Sequence, residues 1–195
     1  MPNCAQISAN LALAACQNSA VGLESELVLI NRDDIDFAGS TVTGNVISAL
    51  VLKSGKTGFL YTSEKNAFEG DSPLNKGTYK TGFNHQLVLR AFLKAQLTKD
   101  QINALAKTKV VAVVKNKDNV SGETKFEVYG WENGLELNDL SAPTTDGDGV
   151  IYTITLGTGE NQRESELPKS FYTTSVTATE TAFEALYTPT PANNG

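Results

Sequence analysis

Five consecutive residues, Val110–Val114 (Val-Val-Ala-Val-Val), constrain this chain more than any other feature. β-Branched side chains are stiff at χ1 and sit well on a pleated surface, so the run reads as a strand. Its apolar side chains point to both faces, which requires cover on both.

The flanking segments supply further strands. Glu26–Ile30 is a short apolar run, as expected of a buried strand. Ile47–Leu52 and Phe59–Thr62 read as two more, joined as a hairpin near Ser54-Gly55. Gln86–Leu93 places Leu87, Leu89, Ala91 and Leu93 on one face. Thr124–Trp131 alternates, with Phe126 and Val128 expected on one face and Lys125, Glu127, Tyr129 and Trp131 on the other. Asn133-Gly134 predicts a type I′ hairpin, which needs positive φ at both central residues, into Leu135–Leu140. Val150–Leu156 follows an Asp146-Gly147-Asp148-Gly149 turn.

Between the strands lies one short helix. Thr98 is the expected N-cap and Gln101 closes a capping box, with Leu97 and Ile102 as a hydrophobic staple. At about ten residues it is too short to stand alone and must pack on a sheet. Ser63–Gly82, with Gly70, Pro73, Gly77 and Gly82, reads as a long functional loop. The 195 residues are 40% hydrophobic and 19% charged, a polar, Thr-rich mix that favours strands over helices. The expectation is a mainly β fold: an antiparallel β-sandwich or half-barrel of roughly seven to nine strands with one short α-helix. Residues 1–22 form an N-terminal arm, 23–157 the β domain and 158–195 a C-terminal extension, both ends being flexible.

Motifs for chemistry fail on their spacing. Lys53-Ser54-Gly55-Lys56-Thr57 has the tail of a phosphate-binding loop, but Leu50 stands where its first glycine belongs. Asp146-Gly147-Asp148-Gly149 lacks the closing Glu of a calcium loop, since Gly157 occupies that position. Cys4 and Cys16 match no zinc pattern and are read as either buried thiols or a disulfide. The single His85 is remote from them and reads as a packed or exposed residue rather than a catalytic one. Neither an enzymatic activity, a metal nor a cofactor is expected. The formal charge of −6 argues against gripping nucleic acid, whose binders cluster Lys and Arg. No apolar run approaches the ~20 residues of a membrane span, and the N-terminus does not read as a secretory signal. Synthesis in a cytoplasm is the expectation.

Three sequence features together resemble the tail tube (major tail) proteins of tailed bacteriophages, of the kind found in phages of Bacteroidetes hosts. They are Pro2-Asn3-Cys4 with Cys16 before the first strand, the strand–helix–strand of Gln86–Val114 with Leu97-Thr98-Lys99-Asp100-Gln101-Ile102, and Tyr129-Gly130-Trp131-Glu132-Asn133-Gly134-Leu135-Glu136-Leu137 followed by Tyr152-Thr153-Ile154-Thr155-Leu156. The resemblance spans residues 1–157, and the segment beyond Glu160 departs from it.

It implies a virion protein that forms hexameric rings stacked into a hollow tube, a conduit for genome ejection through which DNA passes without specific binding. Sheath, tail terminator and baseplate proteins would be further partners, and no membrane is involved. It also implies that the long loop and the N-terminal arm grip the adjacent ring, assigning inter-ring contacts to Cys4, Cys16, Phe68, Pro73, Leu74 and Tyr79. Glu24, Glu26, Glu123 and Glu127 are the expected lumen carboxylates, repelling phosphate. The alternatives are another virion or injection-system assembly protein (decoration, neck or tube), or a carbohydrate-binding β-sandwich with Tyr129 and Trp131 as a stacking platform.

Overall fold

The computed structural model describes residues 22–63, 67–77, 81–91, 95–117, 122–143 and 152–188. Among them are β1 (Leu23–Asn31), a 3-10 turn (Arg32–Asp34), β2 (Thr41–Thr43), β3 (Val46–Ala49), β4 (Phe59–Thr62), β5 (Phe68–Asp71), β6 (Leu74–Lys76), β7 (Thr81–Phe83) and β8 (Gln86–Ala91). Helix α1 (Gln96–Leu105) then precedes β9 (Val110–Asn116), β10 (Phe126–Tyr129), β11 (Leu135–Ser141), β12 (Tyr152–Thr158), β13 (Lys169–Phe171) and α2 (Val176–Tyr187).

The protein is mainly β, as expected. Its 11-stranded sheet runs β2-β3-β13-β10-β9-β11-β12-β8-β5, with β1 also on β9 and β4 beyond β1. The β13–β3 pair is parallel, which makes the sheet mixed, and the sheet does not close into a barrel. A separate hairpin joins β6 to β7.

β9 is the organising strand, and Val110–Lys115 is buried throughout. One core holds Val110, Ala112 and Val114 with Leu27 and Leu29 of β1, Leu87 and Leu89 of β8, Leu156 of β12, and Ile102 and Leu105 of α1. The other holds Val111 and Val113 with Val28, Ile47, Phe126, Phe171 and Phe183. The cover on both faces that the sequence demanded is therefore present.

Several expectations need correction. The Asn133-Gly134 hairpin does not reverse the chain. Gly134 does have positive φ (+80°), as does Gly130 (+74°), but β10 and β11 do not pair with each other. Tyr129 lies opposite Ala112 and Leu135 opposite Val110, while Asn31 takes the other side of Val110. β10 and β11 thus follow one edge of β9 in the same direction, interrupted by an excursion over 130–134. Gly134 N closes that excursion by donating to Gly130 O (2.9 Å). The positive φ at Gly130 also ends the strand alternation. Tyr129 joins the first core and Trp131 the second, instead of sharing a face.

The Ser54-Gly55 turn exists, with Lys56 N donating to Lys53 O (3.0 Å), but β3 pairs with β2 and β13 rather than β4. The N-cap of α1 is Ala95, without a side-chain cap, and Leu97 is 70% exposed, so neither the Thr98 cap nor the staple forms. A cap contributes only about 1 kcal/mol; burial of Ile102 and Leu105 holds this short helix in place.

Among the described residues there are two α-helices, not one, and the described part of the C-terminal extension is built into the fold. β13 sits between β10 and β3, and α2 buries Thr179, Phe183 and Leu186. The described parts of Ser63–Gly82 are likewise strands: β5 pairs with β8, and β6 with β7.

Candidate functional site

The sheet leaves particular edges unpaired. β4 is bonded to β1 in the register Glu26–Thr62 to Leu29–Phe59, and no described strand meets its outer edge. Strand edges expose backbone N–H and C=O groups that template pairing with another chain unless charge, proline or a bulge blunts them. β4 carries none of these: its sequence is Phe-Leu-Tyr-Thr, with Phe59 49% and Leu60 37% exposed. Of the sheet's other two ends, β2 pairs with β3 alone, while β5, which pairs with β8 alone, lies across from β4.

An open groove of about 330 Å³ separates β4 from β5 and is bounded by α1. Phe59 and Tyr61 of β4, Phe68 of β5, Leu89 of β8, and Ile102 and Leu105 of α1 line it. The groove has an apolar floor and an unpaired strand along one side. Burial pushes the Tyr61 hydroxyl pKa up, so this tyrosine stays neutral and acts as an amphipathic wall.

The anticipated contact residues are dispersed. Phe68 is buried in the first core (3% exposed), with its side chain in the floor of the groove rather than on an outer surface. Pro73 and Leu74 are exposed at the β6–β7 hairpin, Leu74 by 51%. Cys4, Cys16 and Tyr79 lie outside the described residues.

Of the anticipated lumen carboxylates, Glu24 and Glu26 line one polar recess with Lys115 and Glu180, but the four do not share one face. Glu26 points with Val28 to the α2 side, where Lys115 Nζ donates to it (3.0 Å). Glu127 points with Tyr129 to the opposite side. Its carboxyl pKa is raised by burial, against a lowering hydrogen bond from Asn116. Glu24 is half-buried on β1 and Glu123 exposed before β10. The fold does not place all four on one wall. Tyr129 and Trp131 are 6% and 8% exposed in different cores, so they form no shared stacking platform.

Two polar clusters bring together residues that nothing in the sequence connects, and the packed one of the two readings of His85 is what the fold shows. Lys115 donates to Glu26 and Glu180, with its ammonium 4.6 Å from the Phe183 ring centroid. Burial alone would lower its pKa, but hydrogen bonds to Glu180 and Glu26 outweigh that and raise it. The second cluster centres on His85 and Glu164, each 2% exposed. Glu164 accepts from the backbone N–H of Glu132 (2.8 Å) and of Asn133 (2.9 Å). The only advance signal was that each is an ionisable group flanked by apolar or turn residues, which many exposed groups share. Among the described residues no group of three or more His, Cys, Asp or Glu is placed to hold a metal ion. No described helix is long and apolar enough to cross a membrane.

No family model, curated protein or solved structure matches this chain.

Proposed function

We propose that this protein is an assembly subunit whose partners are copies of itself, specifically a phage tail tube protein forming hexameric rings that stack into a hollow conduit. The observation that carries the reading is the seam: an unblunted apolar edge strand, β4, beside a groove that lies between it and β5. Pairing between subunits satisfies such edges, and repeated around a ring it turns half-barrels into one continuous wall. The exposed β6–β7 hairpin, with Pro73 and Leu74, is suited to contacts between rings. A head-to-tail contact of this kind repeats into a filament. The negative charge of the chain suits a conduit that DNA slides through without sticking. The working location is then the virion tail, after synthesis in the host cytoplasm.

Negative-stain microscopy of the full chain at high concentration tests this directly. Six-fold rings or hollow tubes are expected, and a strictly monomeric protein at every concentration refutes it. Phe59→Lys on β4 should abolish assembly while the far-UV circular dichroism stays that of the wild type. Tubes that persist with lysine at that edge would remove β4 from the interface.

A further inference from the structure

The one histidine of this chain is held in a geometry that admits a single protonation state. Its own backbone is tied to β12: His85 N donates to Thr158 Oγ1 (2.9 Å), and Thr158 N donates to His85 O (2.9 Å). Gly130 N lies 3.0 Å from the ring Nδ1, and Glu166 O lies 3.0 Å from Nε2. A backbone N–H can only donate, so Nδ1 must be bare; a carbonyl can only accept, so Nε2 must carry the hydrogen. A second proton has only Nδ1 to occupy, and there it would oppose the Gly130 N–H.

We propose that His85 is the pin of an acid-released latch that fastens the 130–134 excursion and the β6–β7 hairpin to the segment between β12 and β13. The connections are continuous. Glu164, on that segment, holds the Glu132 and Asn133 backbone N–H groups. The same residue exchanges two backbone hydrogen bonds with Phe83 of β7 (2.8 and 3.0 Å). Ser165 N and Oγ in turn donate to Glu132. Losing the Gly130–His85 bond loosens the point where these segments meet.

The charges around the ring come from several elements. Glu132 lies on the excursion, Glu164 and Glu166 on the following segment, and Lys169 of β13 is paired to Glu166. Asp139 of β11 shares a polar recess with His85, and Tyr129 of β10 meets the ring edge-on at 5.5 Å. Burial lowers the imidazole pKa below its ordinary value, with Glu164 pulling the other way. The latched state therefore resists the proton. An opened state lets His85 charge in water. The sign follows from linkage: the latch is complete above the ordinary histidine pKa of about 6.5. Its opening equilibrium rises by up to about tenfold per pH unit below it.

Trp131 sits on the excursion, 8% exposed and packed against Phe37, and is the only tryptophan. The full chain, kept dilute, should therefore report the opening through tryptophan emission between pH 7.5 and 5.0. Amide exchange at Gly130, Glu132 and Asn133, corrected for intrinsic rates, should lose protection over the same range. His85→Asn keeps an acceptor for Gly130 N–H but cannot titrate there, and should show neither change. Unaltered wild-type emission and protection at pH 5.0 would overturn the proposal, as would the same transition in His85→Asn, since carboxylates would then own it. Should that variant not fold, ¹⁵N spectra of the wild-type ring decide. The Nε2–H tautomer is expected at pH 7.5, with proton uptake at the midpoint of the Trp131 change; a ring that titrates while Trp131 is silent refutes the latch. None of these readouts depends on tube growth, so this inference and the assembly reading can fail separately.

Discussion

The two helices cover opposite faces of the same strand, and they do so to different degrees. α2 is sealed: Ser175 Oγ accepts from Ala178 N (3.1 Å), Phe183 is fully buried, and Glu180 anchors to Lys115. α1 starts at an uncapped Ala95, buries only Ile102 and Leu105, and leaves Leu97 70% exposed beside a groove. α2 closes over its face of β9, while α1 borders a groove beside the unpaired edge of β4. On the assembly reading proposed above, the α1 side is the one that would meet a partner.

The largest expected effect should fall on the sealed side. Phe183→Ala should cost about 3–5 kcal/mol, and Ile102→Ala about 2–3, because residues lining an open groove can relax into the space left. Urea denaturation of the two variants checks this, and equal losses would mean that the α1 side is packed as tightly as the other. Lys115→Met should cost about 1–3 kcal/mol by leaving Glu26 and Glu180 without their shared cation. Repeating the measurement in a Glu180→Gln background should recover part of that loss; an undiminished loss would mean that Lys115 contributes through packing alone.

The helix starts give smaller effects of opposite sign. Ser175→Ala should lose about 1 kcal/mol, whereas Ala95→Asp should gain up to about 1 kcal/mol by supplying the missing cap. A stabilisation by Ala95→Asp no greater than that of an exposed control would show that α1 is limited by packing rather than by its end. The smallest effect concerns Glu127, whose pKa is raised by burial. A raised carboxyl pKa means that the charged form costs stability above it, and that the cost disappears as pH falls through it. Glu127→Gln should therefore stabilise by about 0.5 kcal/mol or less at pH 7, with the difference vanishing on acidification. A gain that persists below pH 4 would trace to something other than the charge.

Much of the local structure was legible in the chain. Val110–Val114 demanded a doubly covered strand and has one. The Lys53–Thr57 segment is a turn, and Gly134 takes the positive φ that Asn-Gly implies. The helix near Thr98 exists, displaced toward its start. α2 carried a readable signal in Ser175 and the spacing of Thr179, Phe183 and Leu186. Threonine's poor helix propensity and the Thr-Pro tail masked it. The seam could not be read at all, because nothing within Phe59–Thr62 says that its outer edge stays unpaired.

The sequence by itself determined where the backbone must extend, coil or turn, and which strand needed two covers. Those follow from steric and hydration preferences acting over a few residues. Only the tertiary structure decided that β10 and β11 share one edge of β9, and that Tyr129 and Trp131 part to different cores. It alone placed β13 and α2 within the fold, completing the core on one face. Pairing and burial across a hundred residues depend on which distant surfaces fit together, and a local propensity contains no term for that.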